Sequence, residues 1–354
     1  MIRVLVVDDS MICRELLADQ LEADGDIEVV AMAEGGRAGL AELAKREIDL
    51  VTVDIQMPGM TGLELIEAIM DRSPKPIIVV TSLDEREQDL ALEATTRGAL
   101  ALARKAPSED LEAASELRAR VRKLAGVEVS RIEPRRARAK SASPAPADQA
   151  AGGSGAGSSG ARASAARKRL PIIGLGSSAG GQNALFEILD RLTPEFTGCI
   201  AVAQHLPPEF VTAFARLIRS RSGYYVHIAN EPVDPEPRMV VLAPGGYDLL
   251  LEGGKLCARP CRPGEANRPR IDVLFRSLAA GEGEHVGVVL SGMGTDGAKG
   301  LLAMREAGKL TLVQDRNSAA VWGMPGAACA MEAAMEVLPP RGIAARLVEH
   351  MNPS

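Results

Sequence analysis

Residues 133–169 contain no Leu, Ile, Val, Met or aromatic side chain. In a chain of 354 residues that is 46% hydrophobic, this break constrains the fold more than any other feature. The stretch is Ala, Gly, Ser, Pro and Arg, and includes AGGSGAGSSG at 151–160. It can bury too little apolar surface to offset the entropy of ordering it. A flexible linker over 126–169 is therefore expected, with one folded unit at 1–125 and a second at 170–354. Residues 130–169 carry nine Lys/Arg against two acids, so the folded units are more acidic than the net charge of −6 suggests. A basic tether of this kind is a solubilising spacer, or lies against an acidic surface.

Bulk properties exclude several classes. A negative chain with 3% aromatic residues lacks both the charge and the stacking surfaces of a nucleic-acid binder. No apolar run reaches the roughly 18 residues that span a bilayer. The opening run MIRVLVV meets Asp8 and Asp9 too soon for a secretory leader, so a cytoplasmic protein is expected, with no membrane insertion. The five cysteines are scattered and are read as free thiols. Cys257 and Cys261 are close, but no second ligand pair with zinc spacing follows. Nothing demands more than a monomer.

Residues 1–125 alternate apolar runs at 2–7, 27–32, 48–53, 77–80 and 99–103 with amphipathic stretches near 11–23, 36–46, 63–71, 85–97 and 109–124. Five strands alternating with five helices predict a doubly wound five-stranded parallel sheet. Asp8 and Asp9 follow the first strand, Asp54 the third, Thr81 the fourth and Lys105 the fifth. Functional groups of such folds gather outside the carboxyl ends of the strands. Three converging carboxylates repel one another, and Mg²⁺ is the hard cation that relieves this. With a hydroxyl and an ammonium beside them, the parts for accepting and holding a phosphoryl group are present. A single strand-end Asp is equally well explained as a helix cap; the set is not.

VVDDS, DIQMPGMTGLEL, Thr81-Ser82 and Lys105 resemble the receiver domain of two-component response regulators, over essentially all of 1–125. The resemblance implies Asp54 as phospho-acceptor, Mg²⁺ held by Asp8, Asp9 and Asp54, Thr81 as the switch hydroxyl and Lys105 as the phosphate partner. Two positions depart from the family pattern. Ala106 stands where Pro is usual after the Lys, and Leu102 stands at the aromatic switch position.

The second unit continues in the same style. Strands are expected at 170–176, 199–203, 285–290 and 310–313, and helices near 181–191, 208–221, 270–281 and 295–307. Short apolar runs between Gly-rich turns at 239–259 predict a β-hairpin. The expected fold is a doubly wound, mainly parallel α/β domain with that hairpin. Of the four histidines, His205 ends a strand in AQHLPPEF and faces the ligand crevice. The turn GSSAGG at 176–181 joins a strand to a helix, where backbone N–H groups favour an oxyanion, so a Ser there is a candidate nucleophile. Asp296, in SGMGTDG, follows another strand and can orient an imidazole. GLGSSA at 174–179 also fits a dinucleotide fingerprint. The second strand, however, ends in Gln204-His205 with no acid for a ribose, which argues against a nucleotide-dependent oxidoreductase.

The motifs GSSAGG, AQHLPPEF and SGMGTDGAKGLLAMREAG are similar to those of the chemotaxis receptor methylesterase (CheB) family over roughly 170–350, with NRPRIDVLF at 267–275 and WGMPG at 322–326 in support. The resemblance implies Ser178 as nucleophile, His205 as base and Asp296 as its orienter, with Ser177 only a neighbour. Met293 would line the site, and the Ala179 N–H would serve the oxyanion although the family commonly has Thr there. Methyl-accepting chemoreceptors are the implied substrates and a CheA-type histidine kinase the implied phosphodonor. Hydrolysis of γ-glutamyl methyl esters, with glutamine deamidation as a second activity and no cofactor at the esterase site, is the expected function. The contrasting expectation is a non-enzymatic phospho-switch whose Ser/His/Asp set is vestigial.

Overall fold

The computed structural model describes residues 1–82, 84–129, 170–192, 196–262 and 268–351. Most of the expected linker lies outside the described residues.

The first unit runs β1 Ile2–Val7, α1 Met11–Glu22, β2 Ile27–Ala33, α2 Gly36–Lys45, β3 Leu50–Val53, α3 Gly62–Arg72, β4 Ile77–Thr81, α4 Glu85–Thr96, β5 Ala101–Arg104 and α5 Leu111–Leu124. Its sheet is parallel with order β2-β1-β3-β4-β5. The order reverses between β1 and β3, and Asp8 and Asp54 leave the sheet at those two strand ends, where such folds open a crevice. Gly62 opens α3 directly over this point. A Cβ there would lie 2.2 Å from the carbonyl oxygen of Asp54.

The second unit runs β6 Ile172–Ser177, α6 Gly181–Arg191, β7 Cys199–Gln204, a 3₁₀ turn Pro208–Phe210, α7 Val211–Ser222, β8 Tyr225–Ile228, β9 Met239–Leu242, β10 Tyr247–Glu252, β11 Lys255–Pro260, α8 Ile271–Ala280, β12 Val286–Val289, α9 Ala298–Glu306, β13 Leu310–Gln314, α10 Gly323–Ala330, β14 Glu336–Leu338 and α11 Pro340–Met351. Seven strands form one wholly parallel sheet, ordered β14-β13-β12-β6-β7-β9-β8. Its switch point lies between β6 and β12, flanked by β7. Ser178, Asp296 and His205 follow those three strands.

The hairpin is shorter than the expected 239–259. It is β10–β11, closed by Gly253-Gly254, both at positive φ as a two-residue turn of this kind requires. MVVL instead forms β9, buried at all four positions and paired in parallel with β7 and β8. A run covered on both faces belongs inside a parallel sheet, not in an open hairpin. β5 begins at Ala101 rather than at residue 99, because the Ala99 N–H still bonds back to the Ala94 carbonyl of α4.

The two units touch. Thr95 Oγ1 donates to Gln182 Oε1, Asn183 Nδ2 donates to the carbonyl of Thr96 at 3.1 Å, and Arg216 meets Asp89 at 2.9 Å. α4 therefore lies along the N-terminal part of α6 and along α7. Ala179 and Val321 share one buried apolar cluster with Leu100, Leu117, Val121 and Leu124.

Candidate active site

The turn after β6 is built from small residues because there is no room for others. Gly180 sits at φ +71°, and a Cβ on it would lie 2.4 Å from Ala320 Cβ. A Cβ on Gly181 would lie 2.5 Å from Ser177 Cβ. The turn is tied down by Ser291, whose Oγ donates to the Ala179 carbonyl at 2.8 Å and accepts from Val321 N at 2.9 Å. Ser291 is itself held by Gln314, whose Oε1 accepts the Ser291 N–H at 2.7 Å.

The two adjacent serines differ sharply. Ser177 is 1% exposed and its hydroxyl donates to Gln204 Oε1. Ser178 lines a cavity of about 390 Å³ together with Ala179, Gln204, His205, Arg268 and Met293. The Ser178 N–H is committed to the Ser291 carbonyl at 3.0 Å. The next backbone amide, Ala179 N–H, stands one residue ahead of Gly180, the N-cap of α6. Gln204 clamps the two strand ends: its Nε2 donates to the carbonyls of Ser178 at 3.1 Å and His205 at 3.2 Å.

His205 Nε2 lies 2.8 Å from Asp296 Oδ2, with both side chains largely buried. Asp296 also accepts from Ile271 N at 2.9 Å, Asp272 N at 3.0 Å and Gly297 N at 2.9 Å. Burial raises its pKa, but His205 and the Ile271 and Asp272 amides outweigh burial and hold it below the ordinary carboxylate range. With Nε2 on Asp296, Nδ1 is the ring nitrogen left to act as base. Gly292 lets the loop after β12 pass close to Ser178: a Cβ there would lie 2.4 Å from Met324 Sδ and 2.7 Å from Ser178 Cβ. Gly292→Ala is expected to lower any turnover at Ser178 by about tenfold or more while leaving Asp54 chemistry untouched. Ester hydrolysis and phosphodonor labelling, measured on the same preparation, check this.

In the first unit, Asp8, Asp9 and Asp54 bring carboxylate oxygens within 4.8 Å of one another. Asp8 and Asp54 are buried, and Lys105 Nζ reaches them at 2.8 and 3.1 Å. Burial, reinforced by Asp8, pushes Asp54 up to about 6 against the pull of Lys105. Burial works against the Lys105 charge, but Asp8 and Asp54 outweigh it and raise its pKa. Such a group of acids fits a hard divalent cation with oxygen ligands.

The Thr81 hydroxyl donates to Glu87 Oε2 at 2.7 Å. The same oxygen takes the Ser82 N–H at 2.7 Å and the Ser82 hydroxyl. A carboxylate in the first turn of α4 collects these donors, whereas Asp54 is already engaged by Lys105 and by Ile55 N at 2.8 Å. Sequence reasoning gave Glu87 no role, because an acid there is ordinary for a helix start. It also gave none to Ser291 or Gln314. Leu102, at the aromatic switch position, is 2% exposed and lines the cavity of Ser178.

That cavity is walled by both units. β5 and α5 contribute Ala101, Leu102, Glu116, Ala119, Arg120 and Lys123 opposite Ser178 and His205.

The family model for CheB methylesterase matches residues 173–347, and that for the response regulator receiver domain matches residues 4–115. The chain is 36% identical to a protein of Xanthomonas campestris named protein-glutamate methylesterase/protein-glutamine glutaminase 1, over 98% of this chain and 96% of that one. A protein of Syntrophus aciditrophicus with the same name is 35% identical, over 99% and 98%. The crystal structure of the CheB methylesterase catalytic domain of Thermotoga maritima is 31% identical, covers 51% of this chain and 98% of its own, and superposes with a TM-score of 0.48.

Proposed function

The chain belongs to the CheB family of protein-glutamate methylesterases/protein-glutamine glutaminases, and from that premise we propose that Ser178, His205 and Asp296 hydrolyse γ-glutamyl methyl esters on chemoreceptor helices under the control of phosphorylation at Asp54. The receiver is taken as 1–125 and the catalytic domain as 170–354, joined by the linker 126–169. The observation that carries the reading is the His205 Nε2–Asp296 Oδ2 contact of 2.8 Å in the cavity that Ser178 lines.

Ser178 Oγ attacks the ester carbonyl carbon as His205 Nδ1 takes its proton. Asp296 keeps Nε2 protonated and offsets the imidazolium charge. The Ala179 N–H, just ahead of the N-cap of α6, is the oxyanion donor in this reading. His205 returns the proton to the leaving methoxide, methanol departs and a glutamyl ester of Ser178 remains. Water, deprotonated by His205, attacks that ester; Ser178 recovers its proton and the free carboxylate leaves. A glutamine side chain follows the same path with ammonia as leaving group, more slowly because an amide is less electrophilic.

In the receiver, Asp54 attacks the phosphorus of a phosphohistidine on a CheA-type kinase or of a small acyl phosphate. A P–O bond forms and the bond from phosphorus to the donor breaks. Asp8, Asp9 and Asp54 are the residues that would hold Mg²⁺, which when bound neutralises charge on the transferring phosphoryl group. Lys105 pairs with a phosphoryl oxygen. The Thr81 hydroxyl reaches the phosphoryl group only by leaving Glu87, on the helix that also carries Asp89, Thr95 and Thr96 to the catalytic domain. Rearranging α4 in this way opens the wall that β5 and α5 form over Ser178.

Asp54→Asn is expected to keep basal methanol release and to lose its stimulation by a small phosphodonor. Chelating Mg²⁺ is expected to abolish the same stimulation in wild type without lowering the basal rate. Methanol release from methylated receptor membranes measures both; a fall in basal rate on chelation would place the cation in the esterase step and overturn this division of labour.

A further inference from the structure

Two helices at the rim of the site have no side-chain cap of their own. α8 begins after Arg270, whose side chain makes no capping hydrogen bond, and α9 begins after Gly297. The first N–H groups of a helix have no partner within it and need an outside acceptor. Here each helix is capped by a carboxylate from the start of the other. Asp296, just ahead of α9, accepts from Ile271 N and Asp272 N at 2.9 and 3.0 Å. Asp272, in the first turn of α8, accepts from Gly300 N in the first turn of α9 at 2.6 Å. The helices meet at close range to allow this. A Cβ on Gly300 would lie 2.7 Å from Phe275 Cβ and 2.9 Å from Asp272 Cα. A Cβ on Gly297, at φ +88°, would lie 2.8 Å from Ile271 Cγ2.

One half of this exchange is also the half that holds His205. Asp296 Oδ2 accepts the Ile271 N–H and lies 2.8 Å from His205 Nε2, so its place depends on where α9 begins relative to α8. Asp272 is the side chain that ties the start of α9 back to α8. We propose that Asp272 is a positioning residue for the hydrolysis: by capping α9 it holds Asp296 where it fixes the His205 ring. The proposal rests on the Ser178, His205 and Asp296 reading above. Asp272 acts through the loop it anchors and touches neither substrate nor imidazole.

Full-length, phosphodonor-activated protein provides the test. Asp272→Ala is expected to lower kcat by about tenfold to a hundredfold with KM within about twofold, as a misplaced orienting group does. Asp272→Asn keeps an acceptor for the Gly300 N–H and is expected to stay within about threefold of wild type. A second readout needs no turnover: the downfield proton resonance of the N–H shared by His205 and Asp296, recorded in a Ser178→Ala background. It is expected to persist with Asp272→Asn and to be displaced or lost with Asp272→Ala. Should Asp272→Ala not fold, Asp272→Glu, which keeps the carboxylate but moves it by one methylene, is read in its place with the same expected direction. An unchanged kcat and resonance in the Ala or Glu variant overturns the proposal, as does an Asn variant as impaired as Ala. Absence of methanol release from wild type would sink the esterase reading, while the resonance still decides whether Asp272 sets the His205–Asp296 pair.

Discussion

Ser178→Ala is expected to lower methanol release from methylated receptors by about 10⁴-fold or more, and Ser177→Ala to leave it within about tenfold of wild type. Losing a nucleophile removes the covalent route altogether, and what survives comes from oxyanion stabilisation and binding. The neighbouring serine fails on geometry. Ser177 ends β6 at 1% exposure with its hydroxyl on Gln204 Oε1, so it cannot meet a substrate. Its removal instead strands the buried Gln204 oxygen, a loss of about 1–3 kcal/mol of stability. Gln204 also clamps the Ser178 and His205 carbonyls, so a modest fall in rate accompanies the loss of stability. Methanol release and urea unfolding of the two variants therefore give opposite patterns. A Ser178 variant with wild-type release would sink the assignment of the nucleophile, whatever the behaviour of Ser177.

Groups that interrupt an apolar run at a strand end were the legible part of this molecule. Asp8, Asp54, Lys105 and His205 each stand at or just past the end of an apolar run, and in a parallel sheet that end is also a place in the crevice. The Ser178 turn was legible for a related reason: its consecutive small residues suit a nucleophile turn or a dinucleotide fingerprint, and the absence of an acid after the second strand argues against the latter. Side chains whose partners lie far along the chain were not. Asp272 and Glu87 look like ordinary acids in a first helical turn, and only the fold brings Gly300 to one and Thr81 to the other. The β9 segment was misplaced because four apolar residues next to Gly-rich turns suit a hairpin and a buried strand equally. The edge strand β14 has three residues, too few to carry an alternating signal. The wall over Ser178 had no local signal at all. Leu102, Ala119 and Arg120 become part of an active-site cavity only when the two units pack together.

That packing carries the second large effect. Removing residues 1–169 is expected to raise basal methanol release about tenfold to a hundredfold over the unphosphorylated full-length protein. An α-helix with its side chains is about 10–12 Å across, and the walled cavity of about 390 Å³ is on the scale of a small ligand, so a receptor helix reaches Ser178 only when β5 and α5 withdraw. The basal rate then measures the fraction of molecules that are open. Turning a closed-to-open ratio of 99:1 into its inverse requires about 5.5 kcal/mol of differential stabilisation. Arg216 meets Asp89 and Glu85 at the surface, where ion pairs contribute little. The apolar part comprises one cluster that joins Ala179 and Val321 to Leu100, Leu117, Val121 and Leu124, and a second that runs from Ala91, Leu92 and Ala94 to Ala184, Leu185 and Phe214. A long tether weakens docking further, though slowly with its length. Arg216→Glu in the intact chain, facing Asp89 and Glu85 with like charge, is accordingly expected to raise the basal rate by only a few-fold and to leave the phosphorylated rate unchanged. Basal release equal in the truncated and full-length proteins would show that the wall does not exclude receptors. Phosphorylation of Asp54 would then have to act on Ser178 by another route.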